Sequence, residues 1–326
     1  MKHFKLFIQS LNQKGKSKQV IQTASELLTH FLQEQAHAHN DPDFVRNYTA
    51  KHIAGSDMAV NKIIILFWYH DFIQDKASAT YLVTLLGTLE VIENQKSRMQ
   101  SLYGDDAAEQ VFSDVSFPPI GSDIRDYPDV INKYLDKTLK TLGEEKCKKV
   151  LAGNHHDIST DGFLEDKKLF TEEENLHDFL AKKHARLVEN LRQHSETGQL
   201  WFEQYISPAV VEYVRNHQEI QTGVIEGNRI IVQKIAYNPD AWLQATDPLL
   251  KRYYACHCPF TRDAIKAGKE ISSLWCYCSG GYTKLFFDFL FEQDLEVELL
   301  ESVLAGAETC KFAIKLPESY TEGDAK

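Results

Sequence analysis

The chain of 326 residues lacks any apolar run long enough to cross a membrane as a helix. Its longest, Ile63 to Tyr69, falls far short of the ~20 residues that such a span takes. Met1 to Lys18 carries lysines but only the brief apolar cluster Phe4, Leu6, Phe7 and Ile8, so no secretory signal is expected. Positive charge is in deficit. Against 47 Asp and Glu stand 36 Lys and Arg, a net charge of −11, and no basic stripe gathers anywhere. Phosphate contacts depend on Lys and Arg, so nucleic acid is excluded as an expected partner. The glycine patterns G-x-G-x-x-G, P-loop and G-x-S-x-G are missing too. A cytoplasmic protein with neither a membrane nor a nucleic-acid partner is the expectation.

What is present first is helical periodicity. Ser17 suits the cap of a helix in which Val20, Ala24, Leu27, Leu28 and Phe31 recur at spacings of three and four. Asp41-Pro42 reads as a helix start. Similar stripes run through Ile63, Ile64 and Phe67, through Tyr81, Leu82 and Leu85, and through Ile131, Tyr134, Leu135 and Leu142. A polar stretch from Asp157 to Asn175 reads as a connection, with Thr171 a cap for the acidic run Glu172 to Glu174. A charged helix with Leu176, Phe179, Leu180 and Leu187 follows it.

From about residue 205 the period falls to two. Gly227-Asn228 separates Val224-Ile225-Glu226 from Arg229 to Val232, a glycine-first hairpin pattern. Leu295, Val297 and Leu299, then Cys310, Phe312, Ile314 and Leu316, alternate as an antiparallel pair with one buried face. Residues 252–258 and 271–278 also read as strands, and a helix is expected from about Gly281. The expected class is α+β, an N-terminal all-helical region followed by a C-terminal antiparallel sheet with packed helices. The expected division is a helical region over 1–200, an α+β ligand-binding domain over 201–318, and a frayed tail over 319–326.

Four of the six cysteines fall in two tight pairs, Cys256-His257-Cys258 and Cys276-Tyr277-Cys278. In a reducing compartment such clusters are more often metal-binding or catalytic than disulfide-bonded. On strands, Cys256 and Cys258 would share a face with Tyr254, and Cys276 and Cys278 a face with Leu274. Two such strands side by side present four sulfurs on one surface, enough to hold zinc, or iron, tetrahedrally. The one-residue spacing differs from the usual two-to-four-residue knuckle, and plain buried cysteine is a competing reading. His155 and His156, adjacent in a loop, are further candidate metal ligands. Cys310 and Cys147, each on an apolar face, read as core. Tyr254, His257, Gly280 and Gly281 are the candidate contacts to a small-molecule ligand, the two glycines through free N–H groups at a helix start.

The run Gly280-Gly281-Tyr282, Leu295 to Glu298, and Gly306-Ala307-Glu308-Thr309-Cys310-Lys311-Phe312 resembles the 4-vinyl-reductase-type small-molecule-binding domain and the related L-2-amino-thiazoline-4-carboxylate hydrolase-like family. The resemblance covers the C-terminal part only. It implies an α+β ligand-binding domain whose pocket is lined by these cysteines. The first functional expectation is therefore a small-molecule- or metal-binding protein built on the four-cysteine cluster. A second is a cysteine-dependent hydrolase of a small amide- or thiazoline-like substrate, with His257 or His155 as base. A third is an HD-type metal phosphohydrolase, from His70-Asp71 in the helical half with His52 and Asp105 or Asp106 as further ligands.

Overall fold

The computed structural model describes residues 2–38, 41, 43–202, 204–318 and 320. The chain forms two compact units, one of residues 1–89 and 117–127, the other of 90–116 and 128–326. The change of periodicity near residue 200 falls inside the second unit. The expected tail at 319–326 lies outside the described residues except for Tyr320, whose hydroxyl accepts the Leu176 N–H at 2.9 Å.

The first unit is helical: Lys2–Gln13, Lys18–His37, Phe44–His52, Ala59–Phe72 and Lys76–Leu86. Ser17 Oγ caps the second of these through the Val20 N–H at 3.3 Å, and Asp75 caps the fifth through Ser78. Leu28, Phe31, Ile63, Leu66 and Leu82 are fully buried, as the three-and-four spacing requires. Of the expected Asp41-Pro42 start, Pro42 lies outside the described residues, and the helix begins at Phe44.

The second unit holds the sheet, with strands β1 (Val224–Glu226), β2 (Arg229–Gln233), β3 (Val297–Glu301) and β4 (Lys311–Lys315). Their order is β1-β2-β4-β3, antiparallel throughout. Gly227 turns the hairpin at φ +59°, a conformation open to glycine without a Cβ penalty. Ile230, Val232 and Ile314 on one sheet face pack with Phe286, Phe287 and Leu290 of the helix Tyr277–Phe291, and with Phe179 and Leu180 of the helix Leu176–Thr197. Burial of each such side chain is worth about 1.5–3 kcal/mol. The fold is therefore α+β.

Three local expectations are corrected. Residues 252–258 are not a strand: the helix Pro248–Ala255 occupies most of them, started by Asp247, whose side chain accepts the Leu249 N–H at 2.8 Å. Residues 273–276 form a 3₁₀ turn that runs straight into the helix Tyr277–Phe291, four residues before the expected start. The stretch 157–175 contains the helix Leu164–Glu172, so the glutamate run stands at a helix end. Asn175, not Thr171, caps the next helix, through the Asp178 N–H at 2.8 Å.

Candidate functional site

These corrections undo the predicted sharing of faces. Residues two apart on a helix project about 200° apart, so Cys276 and Cys278 diverge. Cys276 Sγ accepts the Ser302 hydroxyl at 3.1 Å. Cys278, by contrast, lies against the side chain of Gln95, which is fully buried. Cys256 ends the helix Pro248–Ala255 in an extended conformation, and Cys258 lies just beyond it outside any helix or strand. The Cys256 thiol meets Thr261 Oγ1 at 3.6 Å, and Cys258 Sγ accepts the Trp275 indole N–H at 3.2 Å.

A fifth sulfur joins them. Cys310 sits just before β4, and its carbonyl accepts the Lys234 N–H at 2.9 Å, extending the β2–β4 ladder by one rung. The Cys276 thiol favours the charged form of Cys310. Cys310 is buried, as the alternation of β4 predicts. It packs in the same apolar cluster as Cys256, with Cys258 against that cluster.

The group at the centre is Lys234, one residue past β2. Its ammonium donates to Ser279 Oγ at 3.0 Å and lies 5.1 Å from the centre of the Tyr282 ring. Burial pulls the amine below its ordinary value, while Cys310, Cys256, Cys278 and Cys258 favour its charged form. Among the described residues no carboxylate ion-pairs with it.

The thiols divide sharply. Cys310 is drawn down to about 7, first by the Cys276 thiol and then by the Val303 backbone and Lys234, against the effect of its own burial. Cys276 is pushed well up, first because its proton is held against Cys310 and then by burial. Burial, with the neighbouring Cys258, pushes Cys256 and Cys278 each up to about 12. Of these four, Cys310 is the one whose surroundings favour the thiolate. All six cysteines are free.

The other candidates fall at varied distances from this centre. His257 Nε2 meets the Ile235 carbonyl at 2.6 Å, and burial and Lys234 hold the imidazole well below its ordinary value, so it stays neutral. His156 stacks edge-on to Tyr282 at 6.3 Å. His155 turns away: its Nε2 meets the Val150 carbonyl at 2.9 Å, burial draws it down to about 4, and it lines a pocket with Asn94, Arg98, Asn154 and Asp157. Tyr254 packs against Tyr253, and its carbonyl accepts the Asn238 N–H at 2.9 Å.

Gly280 and Gly281 are packing glycines rather than ligand contacts. A Cβ on Gly281 would stand 2.4 Å from the Gly153 carbonyl oxygen, and one on Gly280 3.2 Å from the Phe312 ring. Both lie inside the helix Tyr277–Phe291, past the turn whose N–H groups a ligand could use. Among the described residues, no three His, Cys, Asp or Glu side chains are grouped so as to hold a metal ion. His70 pairs not with Asp71, which is exposed, but with Asp75, Nδ1 to Oδ2 at 3.0 Å. Asp105 and Asp106 open a helix of the second unit.

A family of unknown function (DUF6144) matches residues 230–321, a stretch that contains Lys234 and all five clustered cysteines. No curated protein and no solved structure matches the chain. The resemblance to the vinyl-reductase-type and thiazoline-carboxylate hydrolase-like families is thereby corrected, since the family found over the same C-terminal residues is a different one. Short motifs such as a glycine turn and a Cys-x-Phe strand do not by themselves identify a family.

Proposed function

We propose that the second unit holds its ligand through sulfur, with Cys310 as the anionic thiolate that engages it and Lys234 and Cys276 as the groups that keep it anionic. One observation carries this reading. The Lys234 ammonium stands in a partly buried place where the groups able to oppose its charge are sulfurs, four of them within its electrostatic reach. A cation withdrawn from water is costly unless an anion or a set of strong acceptors accompanies it. A single thiolate beside Lys234 meets that need. It also supplies the species that acts as nucleophile and soft ligand, since the thiol does neither well.

The ligand is accordingly a small electrophilic or thiophilic species rather than a polyanion. Cys258, the one cysteine of the cluster that is not buried, marks the side from which it approaches. Free thiols in this number fit a reducing, cytoplasmic compartment. The neutral His257 lies beside the sulfurs but is bound to a backbone carbonyl, so it orients the Cys256–Cys258 segment instead of serving as a base.

Iodoacetamide labelling of the folded protein at neutral pH, read out by peptide mass spectrometry, tests the reading. Cys310 is expected to be alkylated first, ahead of Cys256, Cys276 and Cys278. Equal labelling of the four, or labelling of Cys310 only after denaturation, would overturn it.

A further inference from the structure

We propose that the second unit carries a further binding site, separate from the sulfurs, for a small polar zwitterion of the α-amino-acid class. The site is a pocket of about 330 Å³ between the helix Val91–Tyr103 and the loop that follows the helix Glu144–Leu151. Small-molecule pockets run from about 300 to 1,000 Å³, so this one admits a small metabolite and little more. Asn94, Arg98, Ser101 and Leu102 line it from one face of the helix, and His155 and Asp157 line it from the loop.

Two opposite charges share this pocket without closing on each other. The Arg98 guanidinium is fixed through two of its nitrogens: Nε donates to the Lys149 carbonyl and Nη2 to Asp294, each at 3.1 Å. Nη1 has no partner among the described residues. Gly153 makes that pose possible. A Cβ there would stand 2.6 Å from Arg98 Cδ and 2.9 Å from His155 Cε1, so a larger residue would displace both side chains. Asp157 is held on the loop side. The Asn154 amide spends both ends on Ile158, donating to its carbonyl at 2.9 Å and accepting its N–H at 3.0 Å. That closure carries Asp157 at φ +48°, a left-handed backbone that aspartate tolerates better than most residues. Asp157 is exposed, and among the described residues its carboxylate forms no ion pair.

Charges fixed in advance bind a ligand without the cost of ordering them, and two signs in one pocket suit a ligand that carries both. The carboxylate of an α-amino acid meets Arg98 Nη1 and the Ser101 hydroxyl. Its ammonium meets Asp157 and Asn94 Oδ1, the end of that amide left over because Nδ2 donates to the His155 carbonyl at 3.0 Å. A zwitterion adds no net charge to the pocket. An anion alone would bring a second carboxylate to a guanidinium that already has Asp294, and would set it against Asp157. Of the lining side chains only Leu102 is apolar, so the ligand's own side chain is short or polar.

The test is thermal unfolding of the full-length chain with each of the common L-amino acids at about 10 mM, enough to raise the midpoint through a site of millimolar affinity. Calorimetric titration then follows for the one that stabilises most. At least one amino acid is expected to raise the midpoint. Its amide, which lacks the carboxylate, and its des-amino acid, which lacks the ammonium, should each bind about 10- to 100-fold more weakly, the range of one hydrogen bond to a charged group. Asp157→Asn keeps the shape of the side chain and its tolerance of the backbone. It should weaken the amino acid by the same factor and should not weaken the des-amino acid. If no amino acid raises the midpoint, or the des-amino acid binds as tightly as the amino acid, the zwitterion site is wrong. Unchanged binding of the amino acid by Asp157→Asn would overturn it as well. The comparison of analogues needs no variant to fold, and no readout involves a cysteine, so the result stands apart from that of the alkylation test.

Discussion

Two lysines of the second unit are withdrawn from water, and they are treated in opposite ways. Lys284, in the helix Tyr277–Phe291, is 2% exposed and is closed between the carboxylates of Asp288 and Asp294. Asp288 also accepts the Leu295 N–H at 2.9 Å, so this trio fixes the end of the helix to the chain that leads into β3. Lys234 has a serine, a tyrosine ring and sulfurs, and no carboxylate among the described residues. The first arrangement is complete and explains itself as structure. The second is complete only when a sulfur is ionised. Burial with full pairing points to architecture, whereas burial with conditional pairing points to chemistry.

Substitution of the two lysines should separate these roles most strongly. Lys284→Met takes the cation from the Asp288 carboxylate, while Asp294, half exposed, keeps Arg98 at 3.1 Å, and stability to urea should fall by about 3 kcal/mol, the low end for breaking a buried pair. Gly281→Ala tests whether the helix carrying Cys276, Cys278 and Ser279 has any room to move. Its Cβ meets backbone rather than a flexible side chain, and a loss of about 2–3 kcal/mol is expected in the same assay. Lys234→Met leaves no carboxylate stranded, since Cys310 can take up a proton. Its cost in urea should stay within about 1 kcal/mol, the range of volume-conserving changes. A loss as large as that of Lys284→Met would erase the contrast.

A smaller effect, read against pH, supplies a baseline outside both lysine sites. His155 is drawn down to about 4 in the folded chain, so the unfolded chain binds its proton first as the pH falls. The stability that it contributes is full above 6.5 and lost between 6.5 and 4, with a slope of at most ~1.4 kcal/mol per pH unit. Urea midpoints across that window should show the decline, and His155→Gln should make it shallower. An unchanged slope would mean that the His155 imidazole is not the group responsible.

Much of the fold was legible in the sequence because period and buried face coincide. The hairpin at Gly227-Asn228, the β3–β4 pair and the helix from Leu176 all follow from spacing alone. The segments 252–258 and 273–278 were not legible as helix, because Tyr253, Tyr254, Trp275 and Tyr277 favour strands and outweigh the local signals. Asp247-Pro248 is nevertheless a helix start of the kind read at Asp41-Pro42, and Ser272 caps the 3₁₀ turn. The region of the site was legible in the paired cysteines, but its centre was not. Cys310 alternates with Phe312 and Ile314 as any core residue would, and the pattern does not distinguish a sulfur facing apolar neighbours from one facing other sulfurs. Lys234 ends an apolar strand with nothing in its spacing to mark it. Only the pairing of β2 with β4 sets it beside Cys310.

The central claim is that Lys234 and Cys276 keep Cys310 ionised, and the rate of Cys310 alkylation as a function of pH tests it directly in the wild type and in Lys234→Met. A thiol lowered in the folded chain reacts as thiolate above its own midpoint and becomes inert as the pH falls through it. The wild type should therefore show a midpoint near 7. Loss of the ammonium removes a group that favours the thiolate, so Lys234→Met should move the midpoint upward toward that of an ordinary cysteine, about 8.5. A wild-type midpoint at or above that ordinary value, or one that does not move in Lys234→Met, would contradict the account.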